Sequence, residues 1–410
     1  MTGMNLVQSP ARACLGLAEA TVDLGAVKAN VRGFRQRLRP GTEVLAVVKA
    51  NGFGHGAVQI AKAAVDAGAT WLGVARADEA LELRAAGLTV PILAWLYDAT
   101  ELMWLSDVDV SVATVAELQQ VVSAPSVHHV HLKLDTGLHR GGSTPDQWIE
   151  LTRAAAHYEA LGAVKVRGIW SHLSHGDELD ATHSRRQLGL LRTGVALARR
   201  AGLEPSVIHL ANSAGTLTLD APDCNLVRIG AGLYGIDELG TGLRPAMRLV
   251  TKVAQVRRIR AGEGVSYNHD YVTPTDTTIA LIPLGYADGI PRSAGTGGGS
   301  VGAGRGTHPA SGRANPAHPA RASANPASPA ASVLIRGVRM PVRGRIAMDQ
   351  FLVDAGDIPV EPGEPVIVFG PGDHGEPTAA DWAQWAGTIP HEIYCGLGSR
   401  VPRRYEEASR

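Results

Sequence analysis

Residues 43–67, EVLAVVKANGFGHGAVQIAKAAVDA, contain a strand, a turn and a helix in succession. EVLAVVK (43–49) is a short apolar run rich in β-branched residues, as strands buried on both faces are. NGFGHG places a glycine at every second position from 52 to 56 and reads as a tight turn. From about 56 to 67 apolar residues return at helical spacing.

The same unit recurs outward from this stretch. Strand-like runs follow at 70–75, 91–96, 107–113, 127–135, 164–172, 206–211 and 225–230, with helical patterns at about 77–87, 114–123, 146–161 and 181–202. Upstream, Leu24, Val27, Val31, Phe34 and Leu38 form one stripe behind Asp23, a good N-cap. Eight such strands predict an α/β fold over 18–245, a (β/α)8 TIM barrel of the usual ~250 residues. A doubly wound open sheet would alternate in the same way, and strand count leaves both open. Beyond 245 helical periodicity fades. RLVTKVAQVRRI (248–259), TTIALIPLGYA (277–287), SVLIRGVRMPV (332–342), QFLVDAG (350–356) and PVIVFG (365–370) predict a mainly β domain over 246–410. Residues 1–17 read as an N-terminal tail. Residues 293–332 consist almost wholly of Gly, Ala, Ser, Pro, Asn, Arg and His and read as a disordered low-complexity insertion.

Lys plus Arg and Asp plus Glu each total 39, so nothing in the charge calls for nucleic acid or an anionic membrane as partner. Three scattered cysteines fit neither a disulfide framework nor a Cys-based metal site. No apolar run approaches the ~20 residues of a membrane helix. The N-terminus lacks the basic and apolar regions of a secretory signal, so the expected location is the cytoplasm.

In a TIM barrel, functional residues gather at the C-terminal ends of the strands. Lys49 ends the first strand, Lys133 and Asp135 the fifth, with Arg140 just beyond, and His172 the sixth. Asn212 and Ser213 follow the seventh; Arg228 lies in the eighth, followed by Gly230, Ala231 and Gly232. A lysine in an apolar strand can form a Schiff base, and the loops after strands seven and eight are the frequent phosphate site of this fold. Lysine, anion cradle and stacking ring together suit a phosphorylated aldehyde cofactor. Two other patterns carry less. Gly230–Gly235 fits G-x-G-x-x-G but lacks the early βαβ unit of a dinucleotide site. His128, His129 and His131 have no completing carboxylate or Cys pattern, so they read as structural and no metal is expected.

AVVKANGFGHG (46–56), KLDTGLHRGG (133–142), LANSAG (210–215) and VRIGAGLYG (227–235), then VSYNHDY (265–271), LGYADGIPR (284–292), GRIAMDQ (344–350) and RVPRRY (400–405), resemble, in order, the motifs of the alanine racemase family. The resemblance implies pyridoxal 5'-phosphate bound to a (β/α)8 barrel, with Lys49 forming the Schiff base and acting as one base. Tyr267 is the implied second base. His172 is implied to stack on the pyridine ring and Arg228 to bond its nitrogen. Asn212, Ser213, Gly230 and Ala231 are implied around the phosphate. Arg140, Met348 and Tyr286 are implied for the substrate, supported by Asp349 and by Lys133, which matches a lysine that some members carbamylate. It also implies a homodimer with shared sites, in which Tyr267 and Met348 come from the partner, and D-alanine supply for peptidoglycan. Phe53 and His391 stand where the family usually has phosphate-contacting tyrosines. The alternatives are a broad-specificity amino-acid racemase and a non-catalytic pyridoxal-phosphate-binding protein. The second is disfavoured by the presence of the β domain with Tyr267 and Met348. A basic-amino-acid decarboxylase would need an acid where Arg228 stands.

Overall fold

The computed structural model describes residues 16–295 and 330–407. It divides into two compact units, one running from Val22 to Met247 with the chain end from Tyr405, the other comprising the chain up to Thr21 and Arg248–Arg404.

The first unit is a closed parallel barrel. After β1 (Ala18–Asp23), its staves are β2 (Glu43–Val47), β3 (Trp71–Arg76), β4 (Ile92–Leu96), β5 (Asp109–Val112), β6 (His128–Lys133), β7 (Val164–Trp170), β8 (Val207–His209) and β9 (Leu226–Ile229). Closure is direct: Leu45 of β2 pairs with Trp71 of β3 on one side and with Arg228 of β9 on the other. This decides between the two architectures, because an open sheet would leave β2 or β9 as an edge. Helices at Ala57–Asp66, Ala77–Ala85, Val115–Val122, Pro145–Ala160 and Thr182–Arg200 follow their strands as expected. The helix Leu24–Arg37 begins where Asp23 accepts a hydrogen bond from the Ala26 N–H at 3.1 Å. Tyr405 at the chain end lies against Gly56, and Glu407 pairs with Lys28 at 2.5 Å.

The second unit is built on a nine-stranded sheet. Its later strands are β10 (Met247–Lys252), β11 (Gln255–Ile259), β14 (Thr277–Ile282), β15 (Ser332–Ile335), β16 (Val338–Arg343), β17 (Phe351–Gly356), β18 (Pro365–Phe369) and β19 (Arg403–Glu406), with β12 (Gly264–Val265) and β13 (Tyr271–Val272) forming a separate ribbon. The order is β11-β14-β17-β16-β15-β18-β10-β1-β19. Phe351, Val353 and Ala355 alternate inward along β17, as a one-sided sheet requires. Two short helices, Ala379–Ala386 and Pro390–Gly396, also belong to this unit.

Three boundaries differ from the sequence reading. Ala18–Thr21 belong to the sheet unit, not to the barrel, because β1 lies between β10 and β19. The chain end from Tyr405 belongs to the barrel unit, through the contacts just given. The insertion expected over 293–332 is ordered at both ends: Ala294 and Ala331 are buried and Ser332 opens β15. Its middle, 296–329, and most of the expected tail lie outside the described residues.

Candidate active site

Lys49 follows β2 at once and opens a turn of unusual hand. Ala50, Asn51 and Gly52 have φ of 53°, 53° and 60°, and Phe53 has φ of 50°. Left-handed backbone at three non-glycine residues costs about 1–2 kcal/mol each, so something must hold it. Glu79 accepts from the Ala50 N–H at 2.5 Å, and Asn51 Oδ1 accepts from the Ala57 N–H at 3.0 Å. The Gly54 and Gly56 N–H groups return to Ala50 and Asn51 carbonyls at 3.0 and 2.8 Å. The Lys49 ammonium lies 5.9 Å from the Phe53 ring centre and 5.8 Å from that of Trp95. Phe53 stacks on buried Tyr234 at 4.6 Å, and Tyr234 donates to the Val47 carbonyl at 3.0 Å.

Arg228 is buried, and both its terminal nitrogens are engaged. The two Nη2 protons are shared among Ser171 O at 2.7 Å, Leu210 O at 2.9 Å and His172 Nδ1 at 3.0 Å; Nη1 donates to His209 Nδ1 at 3.0 Å. Among the described residues nothing accepts from its Nε. Arginine only donates, so these contacts fix tautomers. His209 must carry its proton on Nε2 and gives it to His131 Nδ1 at 2.9 Å. His131 in turn gives its Nε2 proton to Asp109 at 3.0 Å, and Arg167 donates to the same carboxylate at 2.9 Å. This buried chain leaves no room for a side chain at Gly168, where a Cβ would fall 2.3 Å from the His131 ring. Burial pushes Arg228 down to about 9, with Cys224 opposing the shift and Arg140 adding to it, so it is still charged at neutral pH. Burial, then the charges of Arg228, Arg140, Lys133 and Lys49, hold His172 at about 2 and therefore neutral.

Lys133 lies 4.8 Å over the Trp170 ring, and burial followed by Arg140 and Arg228 lowers its pKa. Arg140 itself is exposed. Asp135 serves its own loop, accepting from the Gly137 and His139 N–H groups. Asn212 caps the short helix Ser213–Thr218 through the Gly215 N–H at 2.8 Å. Ser213 Oγ accepts from Gly230 N–H at 3.0 Å and Gly232 N–H at 3.1 Å, which leaves its own proton to donate. The Gly230 N–H is thus bound to Ser213, while the Ala231 N–H has no acceptor among the described residues.

In the sheet unit, Tyr286 N–H donates to Ala347 O at 3.0 Å and Ala287 N–H to Met348 O at 2.9 Å. The approach is so close that a Cβ at Gly285 would fall 2.2 Å from Met348 O. Tyr267 lines a groove with Ala347 and Gln350. Tyr267, Tyr286 and Met348 are 65%, 42% and 53% exposed, unusual for large side chains. Asp349 pairs with Arg400 at 2.8 Å.

The structure thus gathers Lys49, Lys133, His172, Ser213 and Arg228 at the barrel's C-terminal rim, and Tyr267, Tyr286 and Met348 in the sheet unit. The sequence reading missed Asp109, His209, Trp95 and Trp170. A polar residue inside an apolar strand, as His209 in SVIHLA, was the available signal. Of the three clustered histidines, His131 is in the chain to Asp109, and His128 is buried beside Ser126 at 3.3 Å.

A family model described as alanine racemase, N-terminal domain, matches residues 22–238, and its C-terminal counterpart matches 246–314 and 320–405. The alanine racemase of Streptomyces coelicolor is 44% identical over 411 residues, covering 95% of each chain. The crystal structure of alanine racemase from D-cycloserine-producing Streptomyces lavendulae superposes with a TM-score of 0.83 at 43% identity, covering 97% of this chain and 98% of that one. The alanine racemase of Bartonella henselae with covalently bound pyridoxal phosphate gives 0.79 at 28% identity, over 96% and 100% of the two chains.

Proposed function

The chain belongs to the alanine racemase family, whose enzymes depend on pyridoxal phosphate, and on that footing we propose that it interconverts L- and D-alanine with Lys49 and Tyr267 as the two bases. The observation that carries this reading is buried Arg228 donating to His172 Nδ1 at 3.0 Å on the rim that also bears Lys49 and Lys133.

The residues fit the cofactor. Buried Arg228 retains one N–H, on Nε, suited to a ring nitrogen. Neutral His172 can lie beside the ring without competing for that proton. The Ser213 hydroxyl and the Ala231 N–H suit a phosphate, with Gly230 and Asn212 holding the backbone around them. Pyridoxal phosphate, when bound through Lys49, supplies an electron sink that acidifies the substrate's Cα–H. Lys49 Nζ takes or returns the proton on one face of Cα, and Tyr267 Oη does so on the other. Arg140 holds the substrate carboxylate, with Lys133 behind it. Tyr286 and Met348 border the entry, and the Asp349–Arg400 pair steadies the Met348 loop. Because Arg228 stays charged, it disfavours ring protonation and weakens the sink, which limits side reactions.

Tyr267 serves a second copy of the chain in this reading: the enzyme is a homodimer whose sites are shared. We assign it to the cytoplasm, where it supplies D-alanine for peptidoglycan; among the described residues no helix is long and apolar enough to cross a membrane. Borohydride reduction of the holoenzyme should fix the cofactor on Lys49, and Tyr267→Phe should lose racemisation while keeping the cofactor absorbance. Label on another lysine, or full activity in Tyr267→Phe, would refute the assignment. Assays on a panel of amino acids separate a strict alanine racemase from a broader one.

A further inference from the structure

Just beyond His172, the connection into the helix Thr182–Arg200 brings together His175, Glu178 and His183. Their ligand atoms all lie within 4.8 Å of one another, and the two imidazoles stack at 4.4 Å between ring centres. We propose that these three side chains bind a borderline divalent cation of the zinc or nickel class, with water completing the shell.

Two imidazoles and one carboxylate are the donor set such ions prefer. The scaffold is built for it. The Glu178 N–H returns to the His175 carbonyl at 3.4 Å, placing the carboxylate one turn from the ring. Buried Ser184, beside His183, donates to the same carbonyl at 3.1 Å and ties the helix start to that turn.

The decisive feature is behind His175. Gln187 is nearly buried and its orientation is fixed: Nε2 donates to His172 O at 3.1 Å, and Oε1 accepts from the Ser174 N–H at 2.9 Å. The Ser174 hydroxyl is 3.0 Å from that same Oε1, so it must donate there. Its lone pair then accepts from His175 Nδ1, 2.7 Å away. His175 therefore carries its proton on Nδ1 and offers the Nε2 lone pair, as a metal-ligating histidine with a supporting partner does. Donors about 2.1 Å from one tetrahedral ion stand about 3.4 Å apart. Glu178 and His183 are exposed and can swing the remaining distance; His183 must also turn out of its stack on His175, because parallel rings aim their lone pairs alongside one another rather than at one ion.

The test uses the holoenzyme, cleared with a chelator and dialysed against zinc chloride. One zinc per chain is expected. His175→Gln with His183→Gln should abolish it at unchanged circular dichroism. Ser174→Ala, which touches no metal, should weaken binding about 10–100-fold by releasing the His175 tautomer. Failure of the parent to take up zinc, or equal uptake by the double variant, overturns the site. Unchanged affinity in Ser174→Ala overturns the role of Ser174 in fixing the His175 tautomer.

Discussion

Phe53 lines the Lys49 pocket with a ring that has no hydroxyl to offer. Its aromatic partner Tyr234 cannot substitute, because that hydroxyl is buried and already given to the Val47 carbonyl. Phe53→Tyr should therefore tighten pyridoxal phosphate by up to about tenfold, the worth of one neutral hydrogen bond, as read by cofactor titration of apoenzyme. His209 and His172 make a second residue-scale prediction. Burial first, then neighbouring charge, holds both well below the ordinary histidine value. The unfolded chain takes up their protons near pH ~6.5, whereas the folded chain does so only in much stronger acid. Protons thus favour the unfolded state below that pH, and stability falls on acidification. The denaturation midpoint should drop between about pH 6.5 and 4.5, and His209→Asn should flatten that slope. Lys49, Lys133 and Arg228 were legible in sequence because each is a cation closing or interrupting an apolar strand. Asp109 was not, because its partner His131 comes from the next strand and only barrel closure joins them to Arg228.

At the scale of elements, strands and helices were readable from their periods, since buried parallel strands and amphipathic helices differ in length and spacing. The left-handed turn after β2 was not. Glycines announced a turn, but Ala50, Asn51 and Phe53 carry side chains that disfavour this hand, and the contacts enforcing it come from Glu79 on a later helix. Local preference yields here to tertiary restraint. Ala50 is exposed, so Ala50→Gly removes strain without losing packing. The gain, about 1–2 kcal/mol, is partly offset by about 0.4–1 kcal/mol of added freedom in the unfolded chain. The variant should be more stable by roughly 0.5–1 kcal/mol in denaturant titration. It should also racemise more slowly, because Lys49 loses its rigid mount.

For the whole molecule, the rim cations of one unit and the exposed Tyr267 of the other make a clear demand on assembly. If sites are shared, a Lys49→Ala chain mixed with a Tyr267→Phe chain regains activity, since each mixed dimer has one site free of both lesions. Random pairing predicts about a quarter of the parent rate. No recovery would mean that each chain completes its own site. The two-unit division was legible as a change of texture near 245, but the crossing of both chain ends between units was not, because a contact such as Lys28 with Glu407 leaves no periodic mark. That crossing bears on synthesis. A ribosome releases the barrel strands long before Tyr405 emerges, so the nascent barrel waits for these contacts until the sheet unit has been made. Truncation before Tyr405 therefore removes part of the earlier-made unit, and a stop codon just upstream of Tyr405 injures the half encoded before the sheet.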